Sequence, residues 1–277
     1  MRAYRIAYDG RPFHGFQRQP DVPTVEDALF DALDALDVTD GTAPSGYAAA
    51  GRTDAGVSAV AQTVAFDAPD WCSPAALGTE LPDAIRPWAS AGVPDDFHAT
   101  HDAVARTYVY HLHAPPARTD DDRVAAACDR LSGEHDFHNL TPDDRGTVPD
   151  LDAACAREGE FLVVRATAGG FPRQFVRRLV GLLDEVARGD AGPSRVERVL
   201  GTAALDGHAG VAPAAPDPLV LADVAYPAVS FRVDEAAAEG ARAVFRERRT
   251  SALAAARVAG GVLDGLDDSE ERSGERG

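Results

Sequence analysis

The order of predicted strands and helices repeats once along this sequence, and this repeat restricts the fold more than any other feature. Alternating polar and apolar residues predict strands, and apolar residues three and four apart predict helices. In the first half, the pattern predicts strands at Ala3–Asp9, on both sides of Gly51–Gly56 and before Pro94, with helices starting at Thr24 and at Ser73-Pro74. The second of these helices is expected to end at Leu81, and Asp27 is placed to complete a capping box with Thr24.

The second half gives the same order with different residues. Its predicted elements are strands Val104–His113, Asp152–Arg157, Glu160–Ala168 and Leu219–Tyr226, and helices Asp122–Leu131, Phe171–Arg188 and Arg195–Leu200. Each half therefore has the order β-α-β-β-α-β, which is the ferredoxin-like arrangement. We expect an α+β protein in which two ferredoxin-like halves form one continuous, mixed and mainly antiparallel sheet with a central cleft.

The predicted boundaries divide the chain into three parts. Residues 1–96 form the first half, residues 97–230 form the second half, and residues 231–277 form a helical extension. Val233–Leu266 is rich in alanine and favours a helix, whereas the polar, acidic end after it is expected to fray.

The charge of the chain is strongly unbalanced. It has 45 acidic against 27 basic residues, a formal net charge of −18, and every basic residue is an arginine. Such a surface repels nucleic acids at low salt. One explanation is a protein without a polyanionic partner. The other is adaptation to molar salt, where the Debye length falls to about 3 Å. Abundant Asp and Ala with scarce Ile and no Lys favour the second.

Two further features indicate the class of protein. No apolar run is long enough to span a bilayer, and the N-terminus has no signal-peptide core, so we expect a cytoplasmic protein. The cysteines Cys72, Cys128 and Cys155 are odd in number and widely spaced, which favours buried free thiols over a disulfide framework or a metal site.

The segment Gly51–Gly56, with sequence GRTDAG, carries the most informative chemistry. Glycine permits a positive φ, so Gly51 and Gly56 predict a tight loop between two strands. This loop would lift Arg52 and Asp54 off the sheet. A carboxylate on such a loop can act as a nucleophile, an oxocarbenium stabiliser or a metal ligand. It can also simply cap the turn and pair with a nearby arginine. The residues alone leave these interpretations open.

Four sequence motifs, which follow one another along the chain, resemble those of a known protein family. This resemblance decides between the interpretations of Asp54. The motifs are Tyr8-Asp9-Gly10 with Gly15-Phe16-Gln17-Arg18-Gln19, the GRTDAGV segment at 51–57, VPDDFHA at 93–99 with ARTYVY at 105–110, and FPRQFVRRLVG at 171–181. Together they resemble the signatures of the TruA family of tRNA pseudouridine synthases, with Phe16 in place of the usual Trp. The likeness covers the chain from about Tyr4 to Tyr226.

The resemblance assigns roles to individual residues. Asp54 matches the catalytic aspartate, and Arg52 matches the arginine that pairs with it and fills the space of the displaced base. Tyr108 matches the tyrosine that stacks on the target base. Arg177 matches a second arginine near the carboxylate. Leu219 matches an apolar residue of the pocket, although Pro218 stands where the family has Gly.

The resemblance also implies a reaction and its partners. The N1–C1′ bond of uridine breaks, the uracil turns, and C5 bonds to C1′. This needs no group donor or redox change, so no cofactor is expected. The implied substrate is the anticodon stem-loop of tRNA, at uridines 38, 39 or 40, bound by a homodimer. A catalytically silent RNA-binding protein on the same fold is one rival. A carboxylate glycoside or nucleoside hydrolase is another, but it needs a second acid.

Two patterns outside the loop also bear on function. Arg173 and Arg177 are four apart on the predicted Phe171–Arg188 helix, where two like charges indicate a phosphate or carboxylate partner, with a solvated helix face as the alternative. The pairs His111/His113 and His135/His138 lack a completing acid or Cys, so we expect no metal site.

Overall fold

A computed structural model describes residues 1–205 and 207–274 of the chain. Within them, ten strands form an open sheet in the order β10-β4-β1-β3-β9-β5-β8-β7-β6, with β2 paired to β3. The strands are β1 (Arg2–Tyr8), β2 (Ala48–Ala49), β3 (Ser58–Phe66), β4 (Ile85–Gly92), β5 (Ala105–His113), β6 (Gly133–Glu134), β7 (Asp150–Glu158), β8 (Phe161–Ala168), β9 (Leu219–Ala225) and β10 (Arg232–Val233).

One parallel contact joins two otherwise antiparallel sets of strands. Ser58 of β3 is in register with Val220 of β9 in a parallel pair, and the other ladders of the described sheet are antiparallel. The first set has the order β4-β1-β3-β2 and the second β9-β5-β8-β7. The predicted α+β class and the mixed, mainly antiparallel sheet are therefore confirmed.

Six α-helices of the described chain accompany the sheet. They are α1 (Val25–Ala35), α2 (Pro74–Gly78), α3 (Asp121–Leu131), α4 (Phe175–Ala187), α5 (Pro193–Val199) and α6 (Glu235–Gly274). The capping box at α1 is present, because the Thr24 hydroxyl accepts from the Asp27 amide at 3.1 Å and donates to the Asp27 carboxylate at 2.6 Å. Helix α2 ends at Gly78, so the predicted extension to Leu81 is wrong.

The predicted start of α4 is also wrong. Phe171–Gln174 precede the helix, and Gln174 adopts a left-handed conformation with φ of 59° immediately before Phe175. The residue before a proline avoids helical geometry, so Phe171 before Pro172 is disfavoured in a helix. Arg173 therefore lies in a turn before the helix. Arg173 and Arg177 are four apart in sequence, but they do not lie on one helix as predicted.

The buried residues form two hydrophobic clusters, one for each set of strands. The first packs α1 and α2 against β1 and β3, and it also takes in Leu221, Val224 and Tyr226 from the end of β9 and the segment after it. The second packs α3, α4 and α5 against β5, β7 and β8. Tyr108 on β5 contacts both clusters, so it lies at their boundary.

The C-terminal extension packs on the first set of strands. Strand β10 pairs with β4, and Ala238 and Ala241 at the start of α6 are buried. The helix continues beyond Leu266, where the sequence predicted fraying, to Gly274; residues 275–277 lie outside the described residues. Among the described helices, none is long and apolar enough to cross a membrane.

Candidate active site

A cleft of about 1380 Å³ opens where the two sets of strands meet. All six residues singled out from the sequence line it: Arg52, Asp54, Tyr108, Arg173, Arg177 and Leu219. They come from the β2–β3 loop, from β5, from the turn before α4, from α4 and from the start of β9. The fold therefore gathers residues that are up to 167 positions apart (219 − 52) into one site.

The loop that carries Asp54 is held from two sides. The Tyr8 hydroxyl lies 2.8 Å from the Thr53 hydroxyl, and the Phe16 amide donates to the Thr53 carbonyl at 3.1 Å. The buried Gln62 amide donates to the Gly51 carbonyl at 2.8 Å. Because these bonds hold the segment on the N-terminal side of Asp54, they fix the position from which its carboxylate enters the cleft.

The two glycines of the motif have different roles. Gly56 has a φ of +81°, and a Cβ there would lie 2.9 Å from an Asp217 carboxylate oxygen and 3.0 Å from Pro216. Glycine is therefore required at Gly56, as the pattern predicted. Gly51 does not have a positive φ, and a Cβ added there would meet no heavy atom of the described chain within 4 Å, so geometry does not require glycine at that position.

The ion pair of Asp54 is made by Arg177. The Nη1 atom of Arg177 lies 3.1 Å from Oδ2 of Asp54, and its Nε donates to the Ala214 carbonyl at 2.8 Å. The side chains are 16% and 31% exposed, so the pair lies within the wall of the cleft. It connects the loop of Asp54 in the first half to α4 of the second.

The predicted pairing of Arg52 with Asp54 is wrong. Arg52 is exposed, and its guanidinium forms no hydrogen bond or ion pair with the part of the chain that the structure describes. Thr53 between them is buried and bonded to Tyr8, while Arg177 occupies the space beside the Asp54 carboxylate. Arg52 thus lies on the cleft surface with its donors available.

Tyr108 and Phe171 form an aromatic corner in the cleft. Their ring centroids lie 5.4 Å apart in an edge-to-face arrangement, and Phe171 in turn stacks on Phe175 at 5.7 Å. Burial, together with the nearby Asp54 carboxylate, raises the pKa of Tyr108 to about 12. The phenol therefore keeps its proton at neutral pH. The sequence did not single out Phe171 as a site residue, although it opens the fourth signature block.

Arg173 and Leu219 also line the cleft. The amide of Arg173 donates to the Asp143 carboxylate at 2.7 Å, and its Nε pairs with the same carboxylate at 3.3 Å. Asp143 also lines the cleft and was missed, because nothing in the local sequence links it to Arg173. Leu219 is buried at the first position of β9. Among the described residues, no group of three or more His, Cys, Asp or Glu is arranged to hold a metal ion.

Comparisons with known proteins extend over nearly the whole chain. A family profile described as tRNA pseudouridine synthase matches residues 127–227. The tRNA pseudouridine synthase A of Halobacterium salinarum is 60% identical over 260 residues, covering 94% of this chain and 97% of that protein. That of Haloarcula marismortui is 58% identical over 275 residues, covering 96% and 100%. That of Thermococcus kodakarensis is 34% identical over 272 residues, covering 94% and 98%.

Proposed function

Since this chain belongs to the tRNA pseudouridine synthase A family, whose members convert uridine to pseudouridine in tRNA, we propose that Asp54 is its essential carboxylate. The observation that carries this proposal is the position of Asp54 in the cleft. It lies on a loop fixed through Thr53 and Gly51, and its Oδ2 is held by Arg177 from the opposite half of the protein.

The neighbouring side chains suit a uracil ring. The Tyr108 ring supplies a stacking surface that Phe171 holds in place, and Leu219 supplies an apolar wall. A uridine must leave its base stack to reach Asp54, which costs a few kcal/mol that stacking and hydrogen bonds in the cleft offset. The exposed guanidinium of Arg52 then fills the space that the base vacates, and Arg173 binds backbone phosphate at the rim.

In the proposed reaction, the Asp54 carboxylate carries out one of three alternative steps. It attacks C1′ as a nucleophile, adds to the uracil ring, or removes a sugar proton to give a glycal. In each route N1–C1′ breaks, the base turns, and C5 bonds to C1′ before C5 loses its proton. Tyr108, whose pKa of about 12 keeps it protonated, takes part in that last transfer as a relay: its oxygen receives the C5 proton while its own proton passes to the freed Asp54 carboxylate. All atoms of the product come from the substrate, so the proposal includes no cofactor.

The proposed target is a uridine at position 38, 39 or 40 in the anticodon stem-loop, and the proposed assembly is a homodimer acting in the cytoplasm. The target, the assembly and the compartment are all proposed from the family resemblance. We also propose that each half is a ferredoxin-like unit, since the strand orders β4-β1-β3-β2 and β9-β5-β8-β7 are equivalent in the two halves. An open cleft between such units can take an RNA loop with splayed bases.

Release of tritium from C5-labelled uridine in tRNA tests the role of Asp54. Asp54→Asn and Asp54→Ala should lose turnover while keeping the melting temperature of the parent. Asp70→Asn is the matched control, because Asp70 is exposed and lies outside the cleft. Appreciable turnover by Asp54→Ala would remove Asp54 from its role. A parent that binds tRNA but releases no tritium would point to the silent RNA-binding rival.

The target positions need a separate measurement. Pseudouridine is mapped in tRNA from a strain that lacks the gene, and again after complementation with the parent or with Asp54→Ala. Loss at positions 38–40 that only the parent restores is the expected result. Intact modification at these positions in the deletion strain would contradict the anticodon assignment.

A further inference from the structure

Arg106 on β5 binds backbone carbonyls from three different segments around the cleft. Its Nε and Nη2 donate to the Ala50 carbonyl at 3.2 and 2.8 Å, and Nη2 also donates to the Thr100 carbonyl at 2.6 Å. Its Nη1 donates to the carbonyls of Gly169 and, at 3.4 Å, Ala103. In the described part of the chain, no carboxylate lies within ion-pair distance of this guanidinium. All the partners of Arg106 are therefore main-chain oxygens.

Each of these segments shapes the site. Ala50 is buried and directly precedes the loop of Asp54. Thr100 lines the cleft, and its hydroxyl donates to the Ala49 carbonyl at 2.5 Å. Gly169 directly follows β8 and leads into the turn of Phe171. Ala50 directly follows β2 of the first set of strands and Gly169 directly follows β8 of the second, so one side chain connects both walls of the cleft.

The chemistry of the side chain fits this task better than that of lysine. A guanidinium has five donors in a rigid plane, so it can bind several carbonyls in fixed directions at once. An ammonium has three donors at a single point and cannot reach the same set. Arg106 is also two residues from Tyr108; burial raises the pKa of the Tyr108 hydroxyl, and the charge of Arg106 lowers it by a smaller amount.

We propose that Arg106 is a positioning residue that sets the distance between the Asp54 loop and the wall formed by Phe171 and α4. The inference rests on the proposed role of Asp54. Arg106 itself does not touch the substrate, because its donors are directed to main-chain carbonyls. A cleft wall displaced by about 1 Å can lower a rate by roughly 10²-fold, so loss of this connection should act on turnover.

Steady-state kinetics of Arg106→Lys and Arg106→Gln test the proposal at a temperature well below the melting transition of every variant. We expect kcat to fall by at least about tenfold, with KM for tRNA within about twofold of the parent. The matched control is Arg165→Gln, because Arg165 lies on the neighbouring strand β8, is exposed, and faces Val109 in the ladder register. It should keep both constants.

Chemical rescue separates positioning from a purely structural role. In Arg106→Gly, millimolar guanidinium should restore part of kcat without changing the melting temperature, and the Arg165→Gln control should not respond. A rise in KM at unchanged kcat would overturn the proposal and make Arg106 an RNA-binding residue. Parent-like kcat in Arg106→Lys, or lost activity that guanidinium does not restore in a folded Arg106→Gly, would also overturn it.

Including Asp54→Ala in the same series keeps the two proposals apart. If Asp54→Ala is inactive and Arg106→Lys turns over like the parent, only the inference on Arg106 fails. If Asp54→Ala is active, the proposed role of Asp54 fails, and the inference on Arg106 fails with it.

Discussion

Replacing Gly10 by alanine should inactivate the enzyme without unfolding it. An ideal Cβ at Gly10 lies 2.0 Å from the Val57 carbonyl oxygen and 2.9 Å from the Gly56 carbonyl carbon. Real Cβ atoms essentially never approach closer than 3.0 Å, so the Val57 oxygen must move by at least 1.0 Å (3.0 − 2.0). The obstacle is backbone at both residues, so a side-chain rotation cannot relieve the contact.

The displacement passes directly to the loop of Asp54. The Val57 amide donates to the Asp54 carbonyl at 3.2 Å, and the Gly56 amide donates to the Phe13 carbonyl at 3.2 Å. A shift of Val57 therefore moves the turn on which Asp54 sits. Misplacing a reacting group by about 1 Å costs roughly 10²-fold in rate. The added methyl should also destabilise the fold by about 1–3 kcal/mol, the usual cost of overpacking.

The assay compares tritium release and thermal melting in molar KCl. Gly10→Ala should lose about 10²-fold in kcat while keeping a cooperative transition a few degrees below the parent. Gly92→Ala is the matched control, because Gly92 at the end of β4 has no positive φ and no heavy atom of the described residues lies within 4 Å of its Cβ position. If Gly10→Ala turned over at the parental rate with an unchanged melting temperature, the loop would not depend on this contact and the reasoning would be refuted.

Two further predictions concern single side chains. Tyr108→Phe should bind tRNA with the affinity of the parent but turn over more slowly, since it keeps the stacking ring and loses the hydroxyl; a variant that melts early but keeps its rate would make Tyr108 a core residue only. Hydrogen bonds from Arg11, with a further one from Arg248, lower the pKa of Asp9 from 3.8 to about 2. Its contribution of about 2 kcal/mol is therefore present above about pH 4 and lost as the pH falls towards 2, so chemical denaturation at pH 5 and pH 3 should show a smaller acid loss in Asp9→Asn than in the parent.

Local patterns were sufficient to predict most of the fold. Strand alternation and the Thr24–Asp27 capping box are set by residues close in sequence, and both are present. The prediction that α4 starts at Phe171 is wrong, because the helical spacing of Phe171 and Phe175 is coincidental. The Pro172 ring and the left-handed Gln174 override it, and periodicity does not contain that information.

The partners within the site could not be predicted in the same way. Arg52 is two residues from Asp54, but the arginine that binds it is Arg177, which is 123 residues away. The resemblance placed Arg177 near the carboxylate but gave the pairing to Arg52, whereas Thr53 between Arg52 and Asp54 turns inward to Tyr8 and Arg177 makes the contact. The four partners of Arg106 are main-chain carbonyls, which every residue has, so the sequence does not distinguish them. Only the folded structure shows which carbonyls Arg106 binds.

Salt dependence is where the composition and the proposed RNA substrate conflict. A net charge of −18 should oppose both folding and RNA binding in dilute buffer. The end of α1 shows the problem locally. Asp31, Asp34 and Asp37 are exposed there, and the last turn has no basic residue. Acids at a helix C-terminus oppose the helix dipole, and each costs about 0.3–1 kcal/mol at low ionic strength.

Molar KCl should therefore raise both melting temperature and turnover, whereas ordinary RNA-binding proteins lose affinity as salt rises. At a Debye length of about 3 Å, distant repulsion vanishes, while the 3.1 Å contact of Arg177 with Asp54 and direct arginine–phosphate contacts persist. Replacing Asp31, Asp34 and Asp37 together by Asn should lower the KCl concentration needed for half-maximal stability and leave kcat in molar KCl unchanged, since these residues lie outside the cleft. A parent enzyme that is stable and fully active in dilute buffer, and that loses activity steadily as KCl rises, would overturn the adaptation to salt inferred from its composition.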